Sequence, residues 1–198
     1  MSDAPENTSI QDLLQQAAAG DEVAWEGIVK AYYRRVYALI RAQAQNPDLA
    51  EEITQSTFHT IVVKLADYTE IGRFEPWLFR IAMNRLRDEL RRRKRQATAV
   101  EDDALAGLVD AGLRGPRAAD AGDRPDDEQK VRLRDALRQL SEVDQRIVYL
   151  RHCAGLSFKQ IAELQDNQPI GTVLARHHRA LKKLRDLMET PTTPVSDG

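Results

Sequence analysis

Basic side chains recur at helical spacing near the end of the chain. Residues 171–185 contain five lysines and arginines and no acidic residue. At about 100° per residue of an α-helix, most of these side chains project from one face. The residues assigned to this outer face are Thr172, Ala175, Arg176, Arg179, Lys182 and Lys183. Such a helix can enter a DNA major groove, where early residues contact base edges and later ones contact phosphates.

A second basic segment, residues 71–95, carries nine basic and three acidic residues, a net charge of +6. Its candidate contacts fall on one stripe of a helix because their intervals are four, three, four and three residues. They are Arg80, Asn84, Arg87, Arg91 and Lys94. A basic stripe can follow the phosphates of a nucleic acid. Two such helices in one chain favour DNA binding over a merely solvated surface.

Two helices joined by a turn must position the first of these faces. Ser157 and Gln160 form a capping box, which predicts a helix that begins at Phe158. Residues 166–169 break that helix, and residues 171–172 open the next. The inner face of the second helix is expected to contain Val173, His177, Leu181, Leu184 and Met188. The pattern predicts a helix-turn-helix, preceded by a helix over residues 144–154.

Apolar residues at helical spacing predict four upstream helices, over residues 10–19, 22–45, 47–66 and 74–95. Asn46 and Pro47 form a start signal for the third. Its expected inward residues are Leu49, Ile53, Thr57, Ile61 and Leu65, and those of the fourth are Phe74, Trp77, Leu78, Ile81, Ala82, Leu86 and Leu90. The third helix also presents an outward polar stripe to which we assign no task within the fold. This stripe contains Glu51, Glu52, Gln55 and His59.

Residues 96–127 differ in kind because they are rich in Ala, Asp and Gly and show no sustained period. Residues 101–128 contain nine acidic residues and three arginines, a net charge of −6. Such composition favours a flexible linker. We therefore expect an all-α protein with two small helical domains, residues 10–95 and 128–189, joined by a flexible acidic linker. The tails, residues 1–8 and 190–198, are expected to be disordered.

Other function classes lack their sequence signals. Cys153 is the only cysteine, so no internal disulfide can form, and its spacing to His177 and His178 does not suit zinc. No metal site and no cofactor are expected. No Gly-rich phosphate loop or nucleophile–base pair accompanies the acidic residues, so we expect no catalytic residues and no enzyme. The start lacks signal-peptide features and no apolar run approaches the roughly 20 residues of a membrane span, which favours a soluble cytoplasmic protein without membrane contact.

Three segments carry a family resemblance. Residues 74–95, FEPWLFRIAMNRLRDELRRRKR, match an F-x-x-W-L-x-x-I-A-x-N pattern, and residues 137–184 contain G-L-S, I-A, G-T-V and R-A-L in that order. Residues 47–65 have the sequence PDLAEEITQSTFHTIVVKL. Together they resemble the promoter-melting helix, the second domain and the polymerase-binding helix of the extracytoplasmic-function (group IV) sigma factors of the sigma-70 family. The likeness covers roughly residues 17–66, 72–95 and 128–187, in the family's order.

The resemblance implies a factor that binds core RNA polymerase, directs it to specific promoters and opens the DNA. The stripe Glu51, Glu52, Gln55 and His59 would contact the clamp coiled coil of the largest subunit. The loop at residues 67–73, which includes Arg73, would hold a flipped −10 base beside the stripe Arg80, Asn84, Arg87, Arg91 and Lys94. The last helix would contact duplex DNA at the −35 element, and its domain would also hold the polymerase flap. An anti-sigma factor is left open as a further partner.

Two departures from the family pattern concern the −35 helix. Leu174 and Ala175 stand where the family usually has Lys-Ser, so a cation and a hydroxyl are absent. The turn at residues 165–170 is about one residue longer than usual. We expect Arg176 to be the main base contact, with Arg179 as the alternative, and Lys183 to contact only phosphate.

Two rival functions remain open from the sequence. One is a helix-turn-helix regulator that binds duplex DNA without melting it. The other is an adaptor that binds polymerase or a sigma antagonist without contacting DNA. The first leaves the basic stripe of residues 74–95 unexplained, whereas the departures at Leu174 and Ala175 are compatible with the second.

Overall fold

The computed structural model describes residues 9–44, 46–69, 72–101 and 125–189. Expectations for residues 1–8, 102–124 and 190–198 lie outside them. The described residues form helices and no strand, which confirms the all-α prediction. The helices are α1 (Ile10–Ala18), α2 (Glu22–Ala44), α3 (Pro47–Leu65), α4 (Phe74–Glu101), α5 (Pro125–Arg138), α6 (Glu142–His152), α7 (Phe158–Leu164) and α8 (Ile170–Glu189). The chain divides into two compact units, Met1–Gly115 and Pro116–Gly198.

Capping residues fix the helix starts in the first unit. Asp21 accepts hydrogen bonds from the amides of Val23 and Ala24 at the start of α2. Asn46 accepts from the Leu49 amide at the start of α3 and is followed by Pro47. Each cap satisfies an amide that has no partner within its helix. The predicted starts of both helices are therefore confirmed.

The first unit buries its core where α2 and α3 pack against α4. All five residues expected to face inward from α3 are buried. On α4, Leu78, Ala82 and Leu86 are buried as expected, but Leu90 is 40% exposed and Phe79 is completely buried. Phe79 and Leu90 are 11 residues apart and share one face of the helix at 100° per residue. The assignment of Leu90 was wrong because the buried part of α4 ends at Leu86 among the described side chains.

The second unit is a small bundle in which α7 and α8 form the helix-turn-helix. Ser157 accepts from the Gln160 amide and the Gln160 side chain accepts from the Ser157 amide, so the predicted capping box is present. Ser141 caps α6, and this helix begins at Glu142, two residues before its predicted start. A core cluster of Ala136, Leu140, Val148, Ala180 and Leu184 connects α5, α6 and α8.

Both predicted ends of the linker differ from the observed helices. Helix α4 continues six residues past the expected end, to Glu101, and α5 begins at Pro125 instead of residue 128. Residues 96–101 contain no glycine or proline to end a helix. Proline is favoured in the first turn of a helix, where its missing amide hydrogen costs nothing. Composition thus missed the ends of the two adjoining helices by three to six residues.

Candidate nucleic-acid interface

The outward face of α8 begins one turn after an unusual connection. Asp166 and Asn167 both have positive φ, 57° and 56°, a conformation that Asx residues tolerate better than most. This pair accommodates the longer turn, and α8 then begins at Ile170. The amides of Thr172 and Val173 donate to the Pro169 carbonyl oxygen. The DNA-facing candidates therefore start in the first turn of the helix, as expected.

Two of the predicted DNA-facing cations on α8 project into solvent. Arg179 and Lys182 are exposed, and neither makes a hydrogen bond or ion pair within the described residues. Thr172 and Ala175 are also exposed. Behind them, Val173, Ala180 and Leu184 are buried against the bundle. This arrangement leaves both cations available to a ligand while the helix is held from the opposite side.

Arg176 and Lys183 are placed differently from these cations. The Arg176 Nη1 atom lies 3.8 Å from Asp144 Oδ1 on α6, and the side chain is only 35% exposed. Lys183 Nζ donates to the Gln139 carbonyl oxygen over 2.6 Å. At 100° per residue, positions 176 and 183 lie between the outer face and the buried face. Arg176 is therefore turned partly towards α6, whereas Lys183 is exposed as expected but bonded to a backbone oxygen.

The inner face of α8 was also predicted with one error. Val173 and Leu184 are buried, and His177 and Met188 are half-buried, but Leu181 is 37% exposed. Ala180 is buried in its place, at 2% exposure. No pattern in the sequence predicts this, because alanine is common on both buried and exposed faces of helices. Leu174 is 44% exposed, so the departure at this position puts an apolar side chain on the surface.

The basic stripe of α4 lies on the solvent side of the first unit. Arg80, Asn84, Arg91 and Lys94 are exposed, and Arg87 is half-buried. Arg87 Nη1 donates to Asn84 Oδ1 over 3.0 Å, so these two side chains form one unit. The structure thus brings the five stripe residues onto one surface, in agreement with their spacing.

Other arginines of α4 turn towards α3 and stabilise the first unit. Arg85 donates to Thr60 Oγ1, with the shorter contact at 2.6 Å. Arg92 and Arg93 both donate to Glu89, and these bonds lower the pKa of the Glu89 carboxyl, the bond from Arg92 contributing most. The two sets of cations therefore lie on different sides of one helix, and Arg85, Arg92 and Arg93 make these bonds while remaining exposed.

An aromatic cluster anchors the loop that precedes α4. Tyr68 stacks on Trp77 with ring centroids 4.4 Å apart, and Phe74 packs against both rings. Trp77 is half-buried, which agrees with its expected inward position. Arg73 is exposed at the end of the loop. The cluster fixes one end of the loop beside the basic stripe; residues 70 and 71 lie outside the described part.

The polar stripe of α3 has tasks within the fold that the sequence analysis did not assign. Tyr33 on α2 donates to the Glu51 carboxylate over 2.5 Å, and Gln55 donates to the same group over 2.8 Å. Both bonds lower the pKa of the Glu51 carboxyl, and the bond from Tyr33 has the larger effect. Burial, followed by the bond to Glu51, raises the pKa of Tyr33 to about 12. Glu52 Oε2 lies 3.6 Å from Arg93 Nη2 on α4. The expectation that this stripe has no partners within the fold was therefore wrong.

The stripe nevertheless remains accessible. The Glu52 side chain is 61% exposed, and Gln55 and His59 are exposed. His59 has no hydrogen-bond or ion-pair partner within the described residues. Tyr33 is the residue that sequence reasoning missed here. Its distance from Glu51, 18 residues along the chain, is too great for any local spacing rule to connect them.

Two family models match the two units described above. The sigma-70 region 2 model matches residues 28–96, and the sigma-70 region 4 model matches residues 130–184. Together they account for more than half of the chain. The chain belongs to the sigma-70 family of RNA polymerase sigma factors. Accordingly α3 and α4 belong to region 2 of the sigma factor, and α5 to α8 belong to region 4.

Curated relatives match the sigma factor over almost its whole length. It is 33% identical to the RNA polymerase sigma factor CarQ of Myxococcus xanthus over 169 residues, 85% of this chain and 91% of CarQ. It is 30% identical to the extracytoplasmic-function factor SigW of Bacillus subtilis, with 90% of this chain and 98% of SigW covered. This protein is therefore an RNA polymerase sigma factor, with core polymerase and promoter DNA as its partners.

Solved structures share the fold. CnrH, in complex with the cytosolic domain of CnrY, matches with a TM-score of 0.65 at 23% identity, covering 89% of this chain and 94% of that one. The sigma factor RpoE of Bartonella quintana, in complex with the anti-sigma factor NepR, matches with a TM-score of 0.60 at 22% identity, covering 84% and 97%. The family match favours neither a duplex-only regulator nor an adaptor. No helix among the described residues is long and apolar enough to span a membrane.

Proposed function

We propose that this sigma factor divides promoter recognition between its two units. The stripe of α3 binds the clamp coiled coil of the largest polymerase subunit, and α4 with the preceding loop opens and holds the −10 DNA. The outer face of α8 contacts the −35 duplex, and the same unit holds the polymerase flap. The observation that carries this proposal is that each unit presents exposed cations on a helix whose opposite face is buried. The factor acts in the cytoplasm, without enzymatic chemistry of its own.

Strand opening needs a surface that binds single-stranded DNA better than duplex. A row of cations follows the phosphates of one strand, and a pocket that accepts an extruded base offsets a few kcal/mol of unstacking. The α4 stripe supplies the cations, and the loop ending at Arg73 lies next to them in the chain. The Asn84 amide adds a group that can donate and accept hydrogen bonds among the cations.

The central test of this function is transcription with purified core polymerase. We expect the full chain to form a one-to-one complex with core polymerase and to bind free promoter DNA poorly. With a library of random upstream sequences, the holoenzyme should select a subset with both a −10 and a −35 preference. Duplex binding by the factor alone, with no transcription from any sequence, would instead support a regulator.

Arg179 is proposed as the main base contact of α8, because Arg176 is already engaged by Asp144. The Arg179→Ala change should cost about 1–3 kcal/mol at the preferred −35 sequence and relax the preference at one position. The Arg176→Ala change should have a smaller effect. Holoenzyme binding to a −35 library measures both changes.

Lys182→Ala is the matched control for a phosphate contact. It should weaken binding about equally on all sequences. It should also reduce the slope of log affinity against log salt concentration by roughly one, because one fewer counterion is released. Lys183 is unsuitable because its Nζ also binds the Gln139 carbonyl oxygen, so its removal would disturb the fold. If neither arginine variant alters the preferred sequence, α8 does not contact the −35 bases, and region 4 is better explained as a polymerase-binding module.

An anti-sigma factor is proposed as a further partner. The RpoE structure with a similar fold holds the anti-sigma factor NepR, although the low identity extends only the fold to this chain. Copurification of the tagged full chain from its own cells, with core polymerase as competitor, tests this proposal. A bound protein that polymerase displaces would support it; recovery of polymerase subunits alone would contradict it.

A further inference from the structure

Two histidines join α6 to the recognition helix α8. His152 is the last residue of α6, and His177 lies near the middle of α8. Their Nε2 atoms are 3.0 Å apart, and their ring planes differ by only 21°. The ring centroids are 5.2 Å apart, so the two nitrogens lie between the rings and face each other. This is the geometry of a head-on hydrogen bond between two imidazoles.

Such a bond needs one proton between the two nitrogens. A neutral imidazole has one donor nitrogen and one acceptor nitrogen, whereas a protonated imidazole has two donors. One ring must therefore donate through Nε2 while the other accepts through Nε2. When both rings are protonated, two N–H groups and two positive charges face each other, and the bond is lost.

The surroundings of the pair add to the cost of a second charge. From α7, the neutral ring of Phe158 packs edge-on against His177, with centroids 5.1 Å apart. From α6, the guanidinium carbon of Arg151 lies over the Phe158 ring, 4.8 Å from its centroid. On α8 itself, His178 is the neighbouring titratable group. Desolvation, followed by the charges of His152, Arg151 and His178, lowers the pKa of His177.

We propose that His152 and His177 form an acid-sensitive clasp that holds the recognition helix against α6 through one shared proton. Neither the family resemblance nor the proposed DNA contacts use these two residues. Protonation of the second ring opens the clasp at the middle of α8. The helix then keeps its apolar contacts around Val173, Ala180 and Leu184 and the contact between Arg176 and Asp144 of α6, but loses the bond between the two histidines.

The direction of the pH effect follows from proton linkage. Because the pKa of His177 is lower in the folded protein than its ordinary value, the unfolded chain binds more protons in the window just below that value, near pH 6.5. The stabilising contribution is therefore complete above pH 6.5 and is lost as the pH falls below it. Carboxylates with lowered pKa, such as Glu51 and Glu89, lose their contribution only at more acidic pH.

A metal-bridged pair explains the geometry less well. A metal ion between two facing nitrogens would hold them about 4 Å apart, because zinc–nitrogen bonds are about 2.0–2.1 Å long. The two Nε2 atoms are only 3.0 Å apart. No group of three or more His, Cys, Asp or Glu among the described residues could hold a metal ion. Cys153, the neighbour of His152 in sequence, is half-buried, and burial raises the pKa of its thiol. It therefore remains a protonated thiol instead of a metal-binding thiolate.

Hydrogen exchange of the full chain at pH 5.5 and 7.5, corrected for the intrinsic rate, tests the clasp without DNA. Both tryptophans lie in the first unit, so their fluorescence would not report on α6 or α8. Exchange of peptides from α6 and α8 is therefore the local readout, and exchange of peptides from α2 is the internal reference. Acidification should lower the protection of α6 and α8, relative to α2, roughly three- to tenfold, which is the size expected for the net loss of one hydrogen bond. A DNA-free readout keeps this test separate from the −35 assignment.

His152→Gln is the decisive variant, because glutamine can still bond to His177 but does not titrate. At pH 7.5 it should protect α8 as well as the wild type does, and at pH 5.5 it should lose no protection relative to α2. His178→Gln, on the same helix but outside the pair, should keep the acid loss seen in the wild type. Equal acid losses in the wild type and His152→Gln would overturn the proposal. So would full protection of the wild-type protein at pH 5.5.

Discussion

A sigma factor with Asn84 and Arg87 both replaced by alanine is expected to bind a promoter duplex as holoenzyme but to form open complexes at least roughly tenfold less well. Hydrogen bonds to a charged group contribute about 1.5–3 kcal/mol, and about 1.4 kcal/mol is a factor of ten. The two side chains are bonded to each other. Their single replacements are therefore expected to be non-additive, each costing nearly as much as the pair.

Permanganate reactivity of thymines in the −10 region measures opening, and duplex binding is measured on the same template. Arg92→Ala is the matched control because it also removes one positive charge from α4, but on the side bonded to Glu89. It should leave thymine reactivity near the wild-type level. Wild-type reactivity in the double alanine variant would contradict the assignment of this stripe to −10 DNA.

Reversal of Glu51 and Glu52 to lysine is expected to weaken binding to core polymerase at least roughly tenfold, because like charges placed across an interface are strongly unfavourable. The Glu51 carboxylate is already oriented by Tyr33 and Gln55. That orientation reduces the freedom that the side chain would lose on binding. Competition with a labelled sigma factor for core polymerase measures the affinity.

Tyr33→Phe separates loss of the interface from disturbance of the fold. It removes the hydrogen bond to Glu51 but keeps the aromatic contacts with Tyr37 and Phe58 and both carboxylate charges. We expect its affinity for polymerase to fall much less than that of the double lysine variant. Polymerase affinity unchanged by the double reversal, in a protein that still unfolds cooperatively, would remove α3 from the interface.

The sequence by itself determined where most helices begin and which broad surfaces they present. Capping signals at Asn46 and Ser157 act over three residues, and each is present in the structure. The stripe of α4 also follows from spacing alone, because side chains at intervals of three and four residues share one face of any helix. The same local patterns carried the resemblance to the sigma-70 family.

Only the tertiary structure decided which polar groups are already occupied. Arg176 and Arg179 look equivalent in the sequence, but α6 brings Asp144 to the first and leaves the second in solvent. Glu51 meets Tyr33 across 18 residues, and His152 meets His177 across 25. Spacing along one helix fixes a direction in space, whereas a bond to a neighbouring helix depends on how the two helices pack. The packing of α2 against α3 and of α6 against α8 therefore determines which of these polar side chains already have partners within the fold.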